Sequence, residues 1–200
     1  MNKARIAVLV SGGGTNLQAL IDAQASGVIA SGEIVLVISN NANAYALQRA
    51  ANAGIATAIV LKKQLGSQLS FEQKIMDLLA ENHIDLIVLA GFMSILSEQF
   101  TSAYPKRILN VHPSLIPSFC GAGFYGLRVH EEALRYGVKV TGATVHYVNE
   151  IPDGGEIIYQ KAVEIQPGDT PEILQRRVME QAEWKILPAA VETVSRQLMA

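Results

Sequence analysis

Ile6-Ala7-Val8-Leu9-Val10-Ser11-Gly12-Gly13-Gly14-Thr15-Asn16-Leu17 begins with five apolar residues and breaks at once into glycines. A continuous apolar run of strand length, rather than an alternating one, fits a parallel strand covered on both faces. Beyond the glycines, Leu17, Leu20 and Ile21 fall at the spacing of an apolar helical stripe. Strand, glycine turn and helix form the first unit, and the pattern repeats. Residues 34–38 read as a second buried strand, 45–53 as a helix and 57–60 as a short third strand. A helix over 71–81 turns Ile75, Leu78 and Leu79 inward, followed by a strand at 86–89, a short helix at 96–103 and a strand at 108–111. Strands alternating with helices this regularly predict an α/β fold, with an open, mostly parallel twisted sheet and helices on both faces. After a helix closing over 131–136 the rhythm changes. Residues 141–148 and 156–165 read as two long strands with no helix between them, so antiparallel strands are expected at one edge. Thr170-Pro171 opens the last helix, threonine as N-cap and proline in the first turn, with Glu172 near the positive end. No repeat or linker divides residues 1–200, which read as one domain.

With 200 residues, half of them hydrophobic and 17% charged, the chain is globular rather than disordered. Formal net charge is −2 and no stripe of Lys and Arg forms, so no nucleic-acid partner is expected. Lys62-Lys63 and Arg176-Arg177 read as solvated pairs. One cysteine, Cys120, excludes an internal disulfide and fits a reducing compartment. A lone thiol in a glycine-rich loop is more often inert than nucleophilic. No Cys/His cluster has metal-ligand spacing. Met1-Asn2-Lys3-Ala4-Arg5 runs into a short strand rather than a signal-peptide core. The most apolar stretch, 84–96, is too short for a bilayer and is broken by Asp85 and Gly91. A cytoplasmic protein with no membrane partner is expected, its assembly left as monomer or homodimer.

Three glycines between a strand and a helix let backbone N–H groups close around a compact anion, with Thr15 and Asn16 adding a hydroxyl and an amide. A tight turn with a capping threonine is the plainer alternative. Dinucleotide binding fits less well: the spacing is not GxGxxG, and Ser39-Asn40 stands where an acidic residue would hold a ribose. A phosphate monoester is the better match. The second informative run is Asn110-Val111-His112-Pro113-Ser114-Leu115-Ile116-Pro117. An amide and an imidazole two residues apart point the same way on a strand, and the prolines end that strand directly after them. Such a pair at a strand end suits chemistry at an acyl carbon, the amide donating to an oxygen that becomes negative and the imidazole carrying a proton. Asp153, in Asn149-Glu150-Ile151-Pro152-Asp153-Gly154-Gly155, is the best carboxylate to orient the imidazole, although a turn residue is the plainer reading. His83 reads as surface and Trp184 as core. His130 and His146 are left with supporting roles at most, and Phe124 and Tyr125 as either pocket wall or loop packing.

These residues resemble the folate-dependent formyltransferases, and within them the phosphoribosylglycinamide formyltransferase family, over almost the entire chain. The glycine loop resembles the family's substrate-phosphate loop, and Leu89-Ala90-Gly91-Phe92-Met93 its folate-side segment. Residues 110–117 resemble its catalytic strand end, and Asp153-Gly154-Gly155 its aspartate loop. The resemblance implies a Rossmann-like formyltransferase fold. It implies an amine of glycinamide ribonucleotide attacking the formyl carbon of 10-formyltetrahydrofolate, in purine synthesis, with no metal. Asn110 and His112 would hold the oxyanion, and Asp153 would pair with His112 and help move the proton through water. Gly14, Thr15 and Asn16 would bind the phosphate, and Glu183 would help position the ribonucleotide. Main-chain groups of Met93, Ser94, Ile95 and Leu96, with Asn110 and Asn149, Glu150, Ile151, Pro152 and Asp153, would accept the pterin. This chain departs from many relatives at Ser94 and Gln68, where a basic residue is common, and at Trp184, where histidine often follows the glutamate. A formyltetrahydrofolate hydrolase, an NAD-dependent oxidoreductase and a nucleotide-binding module are the competing readings.

Overall fold

The computed structural model describes residues 3–200; Met1 and Asn2, at the head of the stretch expected to lead into the first strand, lie outside the described residues. In chain order the elements are β1 (Ala4–Val10), α1 (Thr15–Ala25), β2 (Gly32–Ser39), α2 (Tyr45–Asn52), β3 (Ala56–Ile59), α3 (Lys62–Leu65) and α4 (Gln68–Glu81). There follow β4 (Leu86–Leu89), α5 (Glu98–Ala103), β5 (Ile108–His112), α6 (Leu127–Tyr136), β6 (Val140–Tyr147) and β7 (Ile157–Glu164). The chain closes with α7 (Pro171–Val178), a π-helical turn (Met179–Glu183) and α8 (Trp184–Leu198).

One seven-stranded sheet runs β3-β2-β1-β4-β5-β6-β7. The first five strands are parallel, and β6 and β7 are antiparallel to their neighbours. Both faces are covered, which is why β1 carries no polar residue after Arg5. Ile6, Val8 and Val10 pack against α1 and α8 through Leu17, Leu20, Leu187 and Val191. Ala7 and Leu9 face the other way, toward Phe71, Ile75 and Leu79 of α4 and Phe100 of α5. The order reverses between β1 and β4, opening a crevice at their carboxyl ends, the place where open α/β sheets bind ligands. The glycine loop and the 90–96 segment form its lips. Ser11 Oγ accepts from Met93 N at 2.8 Å, and Asn40 Nδ2 donates to Ser94 Oγ at 2.8 Å, tying the two together.

Several local expectations are corrected. Thr15 does not cap α1; Gly14 holds that position at φ 72°, with no side-chain cap. A Cβ on Gly14 would also lie 2.6 Å from the Ala46 Cβ, so both backbone and space require glycine. Helix α5 starts at Glu98, because the Ser97 side chain accepts from Phe100 N and stops the helix from reaching back to 96. The last helix is interrupted by the π turn, which apolar spacing does not announce. Arg177 is no solvated residue: its guanidinium grips the Asp169 carboxylate, Nη2 to Oδ1 at 2.6 Å, and its side chain is 19% exposed. Arg176 is exposed, as expected, and so are Lys62 and Lys63 in the short, unforeseen α3. Thr170 does cap α7, accepting from Ile173 N at 3.3 Å.

Candidate functional site

Strand β5 alternates, so Leu109 and Val111 enter the core on the α8 side while Asn110 and His112 emerge on the opposite face. Antiparallel register then places His146 of β6 across from Asn110, and Thr144 across from His112, all on that face. Thr144 Oγ1 donates to the Ser114 carbonyl at 2.7 Å and accepts from Ile116 N at 3.1 Å, pinning the turn that ends β5. The loop between β6 and β7 folds back over the pair. A Cβ on Gly155 would lie 1.7 Å from the Tyr147 carbonyl oxygen, so only glycine permits that close return. Asp153, at φ 56°, is carried into the cluster by it.

Asp153 is the hub. Its Oδ2 accepts from Gly121 N at 2.9 Å and lies 3.4 Å from His112 Nδ1. Its Oδ1 lies 3.4 Å from Asn110 Nδ2 and 3.6 Å from His146 Nε2. The Phe119 carbonyl, 2.8 Å from His112 Nε2, can only accept, so that nitrogen carries a proton. His146 Nδ1 likewise donates to the Tyr147 carbonyl at 2.8 Å, leaving its Nε2 3.3 Å from Asn110 Nδ2. Burial pushes the His112 imidazole below its ordinary value, opposed by Asp153 and Phe119. Burial would raise the Asp153 carboxyl, but contacts from His146, His112 and the Gly121 N–H outweigh it and hold the group below its usual range. A carboxylate therefore faces a mostly neutral imidazole at rest, and it would stabilise that imidazole once protonated.

The cluster opens into a cleft of about 700 Å³ whose walls include Met93, Asn110, His112, His130 and Asp153. Asn16, Gln175 and Glu183 line it too. An adjoining cavity of about 130 Å³ is lined by Leu96, His146 and residues 149–153. Ser94, Ile95, Asn110, Pro152 and Asp153 border both. The residues expected on the pterin side thus lie together. On the opposite side Asn16 Nδ2 donates to Glu183 Oε2 at 2.7 Å, joining the first and last helical regions. Burial pushes the Glu183 carboxyl up to about 7. Thr15 reaches Met179 Sδ at 3.7 Å and borders a separate groove of about 590 Å³ between α1 and α8, away from the proton-handling cluster. Ser94 and Gln68 brace the wall: Gln68 Nε2 donates to the Ile95 carbonyl at 3.1 Å and to Glu72 Oε1 at 2.5 Å.

Three further groups contribute to the site. For His146 the sequence leaves a supporting role and the opposite face both open, because its facing depends on the β5–β6 register; pairing with Asn110 turns it into the site. Arg49 donates from Nε to the Gly13 carbonyl at 2.8 Å and stiffens the glycine loop from behind, a long-range contact without local signal. The Gly121 N–H acts as backbone, which no residue type reveals. His83 is exposed, as expected. His130 is fully buried, both ring nitrogens lack partners, and burial pushes it down to about 4.

Comparison with known proteins gives a consistent set of relatives. A family model described as formyl transferase matches residues 4–191. A phosphoribosylglycinamide formyltransferase of Haemophilus influenzae is 45% identical over 188 residues, 94% of this chain and 85% of that protein. The trifunctional purine biosynthetic protein adenosine-3 of Gallus gallus is 47% identical over 194 residues; the match covers 97% of this chain but only 19% of the chicken protein. Among solved structures, glycinamide ribonucleotide transformylase 1 from Symbiobacterium toebii superposes with a TM-score of 0.91 at 40% identity, covering 98% of this chain and 89% of that one.

Proposed function

The chain belongs to the formyl transferase family, and from that premise we propose that it moves the formyl group of 10-formyltetrahydrofolate to the amine of glycinamide ribonucleotide. The products are formylglycinamide ribonucleotide and tetrahydrofolate, within purine synthesis. The observation that carries this reading is the convergence of Asn110, His112 and Asp153 on a cleft whose far side is built by Asn16 and Glu183. The amine nitrogen attacks the formyl carbon, and the carbonyl oxygen becomes negative. Asn110 holds that oxygen: its amide contacts at 3.3 and 3.4 Å are long, so the donor is available to a stronger acceptor. His112 supports the same oxygen, and Asp153 stabilises its imidazolium form. The C–N10 bond then breaks, and the proton lost by the amine reaches the departing nitrogen through Asp153 and a water. Gly14, Thr15 and Asn16 take the phosphate at the start of α1, where first-turn N–H groups have no helical partners.

The pterin lies against residues 93–96 and 149–153, with no metal required of these groups. The partners are these two small molecules rather than nucleic acid or membrane; no helix among the described residues is long and apolar enough to cross a bilayer. We place the protein in the cytoplasm as one catalytic unit. Formyl release measured with and without glycinamide ribonucleotide tests the reading. Amine-dependent release supports transfer, whereas equal release without the ribonucleotide identifies a hydrolase.

A further inference from the structure

Glu183 stands out among the ionisable groups of the cleft because nothing compensates its charge. It is 6% exposed, it ends the π turn, and its side-chain partner is the neutral amide of Asn16. No ion pair among the described residues includes it. The Asn16 Oδ1 is itself buried and without a hydrogen-bond partner. A primary amide beside a carboxyl group can make two bonds when the carboxyl is protonated, N–H to one oxygen and O–H back to the amide oxygen. The ionised carboxyl can make only the first, which strands an acceptor in a buried place. Asn16 also follows Gly14 and Thr15 into α1, so an anion on those first-turn N–H groups is linked to the Glu183 carboxyl through the Asn16 amide. We propose that Glu183 takes up a proton when a phosphate monoester settles on Gly14, Thr15 and Asn16, closing a two-point acid–amide pair with Asn16. This rests on the reading of that loop as the phosphate cradle.

The surroundings single out Glu183 as the group that responds. On the face of β6 and β7 turned toward the π turn and α8, Ala143, Val145 and Val163 are buried and uncharged, and the charged group sharing that face, Lys161 opposite Ala143, is exposed. Across the cleft, His112 and His130 are both pushed below their ordinary values by burial and are neutral above pH 7, while Asp153 is held as carboxylate. On its own segment Glu180 pairs with Arg176, pointing to solvent. Arg49, behind the cradle, is held against the Gly13 carbonyl rather than against Glu183. Glu183, already raised by burial to about 7, sits where a nearby dianion raises it further.

Calorimetric titration of the full chain with ribose 5-phosphate, in buffers of different ionisation heat between about pH 7.5 and 8.5, counts the protons exchanged. The probe lacks the substrate amine, and its phosphate, with a second pKa near 6, is fully ionised there. The expected result is uptake approaching one proton per site and affinity falling by up to about tenfold per pH unit. In Glu183→Gln the uptake should vanish and affinity should become flat with pH. A protonated-carboxyl infrared band should appear on binding only in the unsubstituted protein. Binding without proton uptake overturns the proposal and leaves the cradle intact. Failure of both ribose 5-phosphate and glycinamide ribonucleotide to bind overturns the cradle and the proposal with it. If Glu183→Gln does not fold, the proton count on the unsubstituted protein decides alone.

Discussion

His112 and Asp153 are held by so many protein contacts that their contribution should be separable from substrate binding. His112→Ala and Asp153→Asn are each expected to lower kcat by about 10²–10⁴ while changing the ribonucleotide KM little, since a positioned acid or base contributes on that order. A loss below tenfold for both, in steady-state kinetics, would remove them from the mechanism. Thr15→Ala should act differently, raising the ribonucleotide KM several-fold with kcat nearly unchanged. Glu183 also affects stability. Its folded-state value lies near 7 against an ordinary 4.5, so the folded chain binds the extra proton between those values. Stability from this group is full below about pH 4.5, falls as pH rises toward 7, and stays lost above it. At 1.36 kcal/mol per unit, Glu183→Gln should stabilise the protein by about 3 kcal/mol at pH 8 and by little at pH 4.5, read from thermal or denaturant unfolding. The Asn110–His112 pair was legible in the sequence because residue type, spacing and flanking prolines agree, whereas Asp153 reads more plainly as a turn residue until the family resemblance is added. His146 was not legible, because only pairing with another strand fixes which way it faces.

The elements that place these side chains tolerate little change. Gly155→Ala must displace the β6–β7 loop, because the added Cβ would collide with the Tyr147 carbonyl. Asp153 lies two residues away, and a shift near 1 Å can cost about 10² in rate. Activity should therefore fall sharply while circular dichroism stays native. The π turn is the second sensitive element. Removing one residue between Met179 and Glu183 would restore α-helical winding and take the side chains of the turn, Glu183 among them, out of their present places. The register of α7 against Glu183 would be lost, and ribonucleotide affinity should drop by more than tenfold in a binding titration, with folate binding retained. Strands and helices of the parallel half were readable because each apolar run is bounded by glycine or a polar cluster. The π turn was not, since a single extra residue leaves the apolar stripe of residues 171–198 almost unbroken.

Across the whole molecule the parallel strands carry the glycine loop and, on β5, Asn110 and His112, while the antiparallel pair brings His146 and the loop with Asp153, and the protection of the two parts should differ. Strand β1 is paired on both sides and buried on both faces, so its amides should be among the slowest to exchange hydrogen; those of β7 facing away from β6 should be among the fastest. Comparable exchange rates in β1 and β7, measured by mass spectrometry, would contradict this division. The fold class was apparent from the alternation of runs, including the antiparallel edge, because that pattern is a property of the entire chain. The adjacency of the two cavities was not, since it depends on where the β6–β7 loop returns. The Ser11–Met93 and Asn40–Ser94 contacts have a practical corollary for ligand design. They fix the partition that both cavities share, so one inhibitor spanning the two compartments would meet a wall already in shape. Its affinity should exceed that of either fragment through saved ordering entropy, and a rigid linker should outperform a flexible one.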